Sequence, residues 1–228
     1  MVSNVLFTSA ISRENLVKAT VIFLFLCILV LGFTTSPAFA DNITIQNASF
    51  EMANSFPYSS PGFGVWNNGP IPYWTTTGVA GSWQPGPAAF SSVPNGSTVA
   101  YSNGGFIFQT LGVSLLANTT YTLSVDVGHR LDGYATNYAL SLLAGGSVLK
   151  SLPGSNGLIP IGTFADESFS FTSGANVPSG SLSIILGSAG TQIDFDNVRL
   201  VATPVPEPGS LALLATALGL AIFVFRRR

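Results

Sequence analysis

Residues 120–128 read TYTLSVDVG, and the phase of this stretch decides the fold. Tyr121, Leu123, Val125 and Val127 fall on one face of an extended chain, with Thr122, Ser124 and Asp126 on the other. A period of two with polar alternates marks an antiparallel strand that lays one face on a core. The pattern recurs in NYALSLLAG (137–145) through Tyr138, Leu140 and Leu142, and in ESFSFTS (167–173) through Phe169 and Phe171. It recurs again in SLSIILGS (181–188) through Leu182, Ile184 and Leu186. Turn-forming clusters separate these runs: GHRLDGYATN (128–137), Gly145-Gly146, LPGSNG (152–157) and SGANVPSG (173–180). No helical period or internal repeat interrupts them. Short strands punctuated by Gly and Pro predict an all-β antiparallel β-sandwich over residues 41–203.

Residues 53–95 are different. They are rich in Pro, Gly and aromatics and read as long loops with short strands near 71–76 and 79–83. Loops of such length in a compact domain usually carry function. Strand phase also slips within QIDFDNVRL (192–200): Ile193 and Phe195 are apolar on odd positions, Val198 and Leu200 on even ones. A bulge or bend at Asp196-Asn197 is expected.

The two ends are apolar. Residues 211–225 carry no charge and no proline and are followed by Arg226, Arg227 and Arg228. Fifteen helical residues give about 22 Å, short of a ~30 Å hydrocarbon core. Gly209, Ser210 and the stem of Arg226 lengthen this to a marginal span over 209–225. Arginines on the far side assign that side to the cytoplasm and the rest of the chain to the exterior. At the other end Arg13 and Lys18 precede an apolar run, and small residues at Ala38 and Ala40 close it. This is the build of a signal peptide over residues 1–40, cut by signal peptidase after Ala40. The single cysteine, Cys27, lies within that segment. The mature chain is therefore expected to have no disulfide, thiolate metal site or cysteine nucleophile.

Val205, Pro206, Glu207 and Pro208, followed by an apolar helix and an arginine cluster, resemble the PEP-CTERM sorting segment, here residues 204–228. Its prolines keep the motif extended and delay the helix. The resemblance implies transient anchoring in a bacterial inner membrane, processing by an exosortase, and delivery to the cell surface or extracellular matrix. A second resemblance covers the middle. NITIQNASFE (42–51), IPYWTTTGVAGSWQP (71–85), GFIFQTLGVSLLANTTYTLSVDVG (105–128) and QIDFDNVRLVA (192–202) follow the layout of galactose-binding-like jelly rolls, shared by many carbohydrate-binding modules.

Between the ends the charges are sparse: Arg130, Lys150 and Arg199 against eight acids. An acidic surface without a basic stripe excludes tracking of nucleic acid. Three candidate sites stand out, each with an ordinary structural alternative. In jelly rolls of the resembled kind a structural Ca²⁺ often joins first and last strands, and the matching positions are Glu51 and Asp196; hard oxygen ligands in irregular backbone suit calcium. The alternative is a plain chain turn at Asp196-Asn197 with a solvated Glu51. Trp66, Trp74 and Trp83, with Tyr58, Phe63 and Tyr73, form either a stacking platform for polysaccharide or ordinary core. His129, Arg130 and Asp132 form either a ligand-contacting turn or a solvated hairpin end.

Enzyme chemistry finds little support at this level. One histidine and no mature cysteine exclude two-histidine and three-histidine zinc sites, and neither GxSxG nor a phosphate-binding glycine loop is present. The sequence thus leads to a non-enzymatic exported surface or matrix protein that binds polysaccharide; a surface glycan-degrading or glycan-modifying enzyme and a purely structural matrix protein are the alternatives.

Overall fold

The computed structural model describes residues 39–52 and 55–205, together with Lys18, Leu218 and Gly219. The chain divides into two compact units, residues 39–205 and residues 1–38 with 206–228. Of the second unit, Lys18, Leu218 and Gly219 are described and helical. Of the expected signal peptide, residues 1–17 and 19–38, including Cys27 and Ala38, lie outside the described residues, as do Pro206, Glu207, Pro208 and Arg226–Arg228. So does nearly all of the membrane helix expected over 209–225. Among the described residues no helix is long and apolar enough to cross a membrane.

The unit 39–205 is built of antiparallel strands, as the alternation requires. In chain order these are β1 (Asp41–Ile43), β2 (Tyr58–Ser60), β3 (Gly64–Trp66), β4 (Thr75–Pro85), β5 (Val99–Ser114), β6 (Thr119–His129), β7 (Asn137–Ala144), β8 (Ser147–Ser155), β9 (Thr163–Thr172), β10 (Ser181–Ser188) and β11 (Ile193–Pro204). One layer runs β2-β3-β4-β5-β10-β7-β8, and the other joins β1, β11, β6 and β9. The apolar phases of β6, β7 and β10 face inward: Leu123, Val125, Val127, Leu140, Leu142, Leu182, Ile184 and Leu186 are fully buried in one core.

The layers are continuous at one end because β5 belongs to both. Its first residues pair with β11, Ala100 opposite Phe195 and Ser102 opposite Ile193. From Phe106 onward it pairs with β10. The corner between lies at Gly104-Gly105, opposite Gly78 on β4, where the β4–β5 register shifts. Gly78 and Gly104 have positive φ, and a Cβ on Gly105 would fall on the Thr77 carbonyl oxygen. A strand that changes layers needs such a bend, and only glycine lets the backbones close this tightly.

The expected slip at Asp196-Asn197 is present. The β11–β6 register shifts between Asp196 and Arg199, and Asn197 adopts φ 50°. Where two short strands were expected over 71–83, one long β4 forms, preceded by a bridge between Ile71 and Trp74. Its continuous pairing with β5 outweighs the local Gly punctuation.

Candidate functional site

Segments 55–66 and 86–95, on either side of β4 in the chain, pack with β4, β5 and β9 to close a second, smaller core. Trp83, Ala89, Phe90, Val99 and Tyr101 are buried there, with Phe63, Trp66, Val93 and Phe164 packed against them. The polar alternates of these strands are therefore covered by protein, where an exposed sheet face would leave them in water. Asp194 lies opposite Tyr101 on β5 and Gly128 on β6, and both Asp194 and Asp196 are fully buried.

Beside this core opens a cavity of about 390 Å³, lined by Phe63, Trp66, Trp83, Tyr101, Tyr134 and a polar group that includes Arg130, Asp132 and Gln192. Arg130 is its central side chain. Its guanidinium lies 5.2 Å from the Trp83 ring centre and 5.6 Å from those of Phe63 and Tyr134. Asp132 accepts from Arg130 Nε at 3.0 Å and from Nη2, and Gln192 Oε1 accepts from Nη1 at 2.7 Å. Gln192 in turn donates from Nε2 to Asp194 Oδ1 at 2.7 Å. Asp194 Oδ2 is buried with no hydrogen-bond partner. Burial pushes the Asp194 carboxyl up to about 7, with the Gln192 bond and the Arg130 charge pulling back and Asp132 adding to the rise. The Tyr101 phenol is pushed up to about 12, mainly by burial; it donates to Asn67 O at 2.8 Å and also contacts Asn68 Oδ1.

The three tryptophans separate. Trp66 lines the cavity and stacks on Tyr58, ring centres 6.0 Å apart at 23°. Trp83 is buried in the cavity wall, its Nε1 donating to Phe63 O at 3.0 Å. Trp74 sits in the main core against Phe50, its Nε1 donating to Asn47 O at 3.1 Å, so its ring is not available to a ligand. Tyr73 is exposed. The turn His129-Arg130-Asp132 is divided: Arg130 and Asp132 line the cavity, while His129 is buried elsewhere with Nδ1 2.7 Å from Ile159 O.

Glu51 and Asp196 meet on one segment. Glu51 Oε1 accepts from Ser97 N at 2.9 Å and Thr98 N at 2.7 Å, and Asp196 Oδ2 accepts from Asn95 N at 2.9 Å. Asp196 Oδ1 accepts from Asn197 N at 2.7 Å. Burial first, then the neighbouring Asp126 and Glu51 charges, push the Asp196 carboxyl up to about 7 against these backbone bonds. Among the described residues no group of three or more His, Cys, Asp or Glu is placed to hold a metal ion.

Asp194, Gln192 and Tyr101 were not singled out by sequence. The available signal was DFD on a strand in a chain with so few charges: two acids on one strand face.

The fold and the cavity together define a β-sandwich with an aromatic pocket and a buried acid held behind its wall by Gln192. The chain belongs to the HpiC1-like family, whose model, described as HpiC1 cyclase, matches residues 41–201. Residues 204–228 match the PEP-CTERM protein-sorting motif, so the protein is exported and the motif implies exosortase processing. An apo cyclase from Fischerella sp. is 27% identical, with TM-score 0.62 over 74% of this chain and 98% of that one. A Stig cyclase from Fischerella sp. TAU, solved with (3Z)-3-(1-methyl-2-pyrrolidinylidene)-3H-indole, is 27% identical, with TM-score 0.61 over 73% and 100%. A cyclase from the same source, solved with 4-(1H-indol-3-yl)butan-2-one, is 28% identical with TM-score 0.60 over 73% and 100%. Among curated proteins, none matches the chain. These findings correct the expectation of a non-enzymatic protein: the family is one of cyclases. A lone histidine, a lone cysteine and the lack of GxSxG and phosphate-loop motifs excluded several chemistries, but a buried carboxylic acid needs none of them.

Proposed function

We propose that this is an exported cyclase that takes a flat aromatic substrate into the pocket of Phe63, Trp66, Trp83 and Tyr134, with Asp194 as the proton donor. The observation that carries the proposal is Asp194 itself. A carboxyl held near 7 by burial remains partly protonated at neutral pH, as a general acid requires. Its hydrogen-bond partner Gln192 is a wall residue of the cavity, which sets the acid one side chain behind a bound ligand. The Arg130 guanidinium suits an electron-rich aromatic, and the ring faces suit one that becomes transiently cationic. Titration with 4-(1H-indol-3-yl)butan-2-one, followed by tryptophan fluorescence, tests the pocket. Saturable quenching weakened at least tenfold by Trp83→Ala supports it, and no binding at millimolar probe sinks it.

Polysaccharide recognition at the cell surface is the second reading, favoured by the Tyr58–Trp66 stack with Tyr58 exposed at the cavity edge. Binding to the host's exopolysaccharide in preference to the indole probe would select it. The same reading has signal peptidase remove residues 1–40 and the inner membrane hold residues 209–225 until an exosortase acts.

Structural Ca²⁺ is proposed at Glu51 and Asp196. The donor set is all oxygen, and Asp196 is buried beside Glu51 and one further acid, Asp126, with no cation bonded to it among the described residues. The ion would offset that charge and lock segment 95–98 to β11. Adding Ca²⁺ to chelator-treated protein should raise Tm, and Asp196→Asn should abolish the rise; an unchanged Tm rejects the ion.

A further inference from the structure

We propose that Arg130 is a positioning residue for Asp194, acting through the side-chain amide of Gln192 so that the acid carries its proton on Oδ2 alone. The inference rests on the reading of Asp194 as the acid. Its basis is the direction of each hydrogen bond. Arginine has donors and no acceptor. The Gln192 group 2.7 Å from Arg130 Nη1 must therefore be the carbonyl. That fixes the amide: Nε2 is turned the other way and donates to Asp194 Oδ1 at 2.7 Å. With Oδ1 engaged as an acceptor, a proton on the carboxyl resides on Oδ2, the oxygen without a partner.

Arg130 can impose this order because it is itself held from several sides. Asp132 grips two of its nitrogens, and three aromatic rings surround the guanidinium. The charged and titratable groups around Asp194 are few: Arg130 and Asp132 from the turn after β6, and the Tyr101 phenol from β5. Arg130 and the Gln192 N–H both favour the carboxylate, and Asp132 opposes it. Remove Arg130 and the amide is free to reverse, presenting Oε1 to the carboxyl and drawing the proton to Oδ1. Both the site and the strength of the acid then change.

The test is an infrared titration of the full-length chain in detergent, following the protonated-carboxyl stretch that Asp194→Asn removes. Arg130→Met and Gln192→Leu should each raise its midpoint by about one pH unit, tenfold in proton affinity, since each removes a group that stabilises the carboxylate. Arg130→Lys retains a charge and a donor and should fall nearer the wild type. A purely structural Arg130 would lower Tm and leave the midpoint where it was. A midpoint unmoved in Gln192→Leu, or in Arg130→Met if it folds, overturns the inference while leaving Asp194 as the acid. Absence of any band sensitive to Asp194→Asn overturns both readings.

Discussion

Replacing Asp194 by Asn should change how stability depends on pH more than it changes stability itself. In the folded protein the Asp194 carboxyl stands at about 7, against an ordinary value of 3.8. Between these two limits the folded state holds a proton that the unfolded state has lost. Stability from this group is therefore complete below about pH 4 and is lost as pH rises toward and through 7. Three pH units at ~1.36 kcal/mol each place an upper limit of about 4 kcal/mol on the loss, and relaxation around an ionised carboxylate reduces it. Asp196, also at about 7, contributes a loss of the same sign, so the wild type declines through two groups and Asp194→Asn through one. The substituted amide adds an unpaired buried donor at a cost of about 1–3 kcal/mol that does not vary with pH. The slope is thus the diagnostic quantity and the level is not. For a unit of this size 1 kcal/mol corresponds to about 2–4 °C in Tm. Scanning calorimetry from pH 4 to 8 should show a Tm decline in Asp194→Asn roughly half as steep as in the wild type. Parallel curves would refute the argument, because they would mean that Asp194 ionises at its ordinary value.

Other substitutions test the architecture. Trp83→Ala removes a buried ring and its Nε1 bond and should cost about 3–5 kcal/mol in chemical denaturation; a loss below 1 kcal/mol would contradict its place in the wall. Trp66→Ala, partly exposed, should cost much less while still weakening binding of the indole probe. Gly105→Ala puts a methyl onto the Thr77 carbonyl oxygen and should destabilise the corner by about 2 kcal/mol or more, whereas Gly112→Ala meets nothing within 4 Å and should stay within about 0.5 kcal/mol. Arg199→Ala breaks a half-exposed pair with Asp166, 2.5 Å apart, and should shift stability by at most about 1 kcal/mol.

Much of the fold was legible because one face of each strand meets a core. Alternation in TYTLSVDVG, NYALSLLAG and SLSIILGS named the inward residues one by one, and the change of phase at Asp196-Asn197 located the bulge before any pairing was known. The export signal was equally local, a matter of charge and hydrocarbon in order along 204–228. The site was far less legible. Alternation places Asp194 on the polar side of its strand and there stops, because the same pattern describes an acid in water and an acid under a loop. His129, Arg130 and Asp132 read as one polar turn, yet alternation of the backbone buries the imidazole on one side and sends the other two into the cavity. Trp74 and Trp83 both read as strand residues, and only contact with Phe50 puts Trp74 in the main core while Trp83 lines the cavity.

By itself, then, the order of residues determined which side of each strand is apolar, where turns fall, and that the chain is addressed for export. Those properties depend on neighbours one to four positions away. Tertiary structure alone decided that segments 55–66 and 86–95 close a second core against β4, β5 and β9. That covering takes Asp194 out of water and brings Arg130, with its three rings, from a distant part of the chain onto Gln192 beside it. A carboxylic acid changes character when its solvent is replaced by protein, and no sequence pattern records which solvent a side chain will meet.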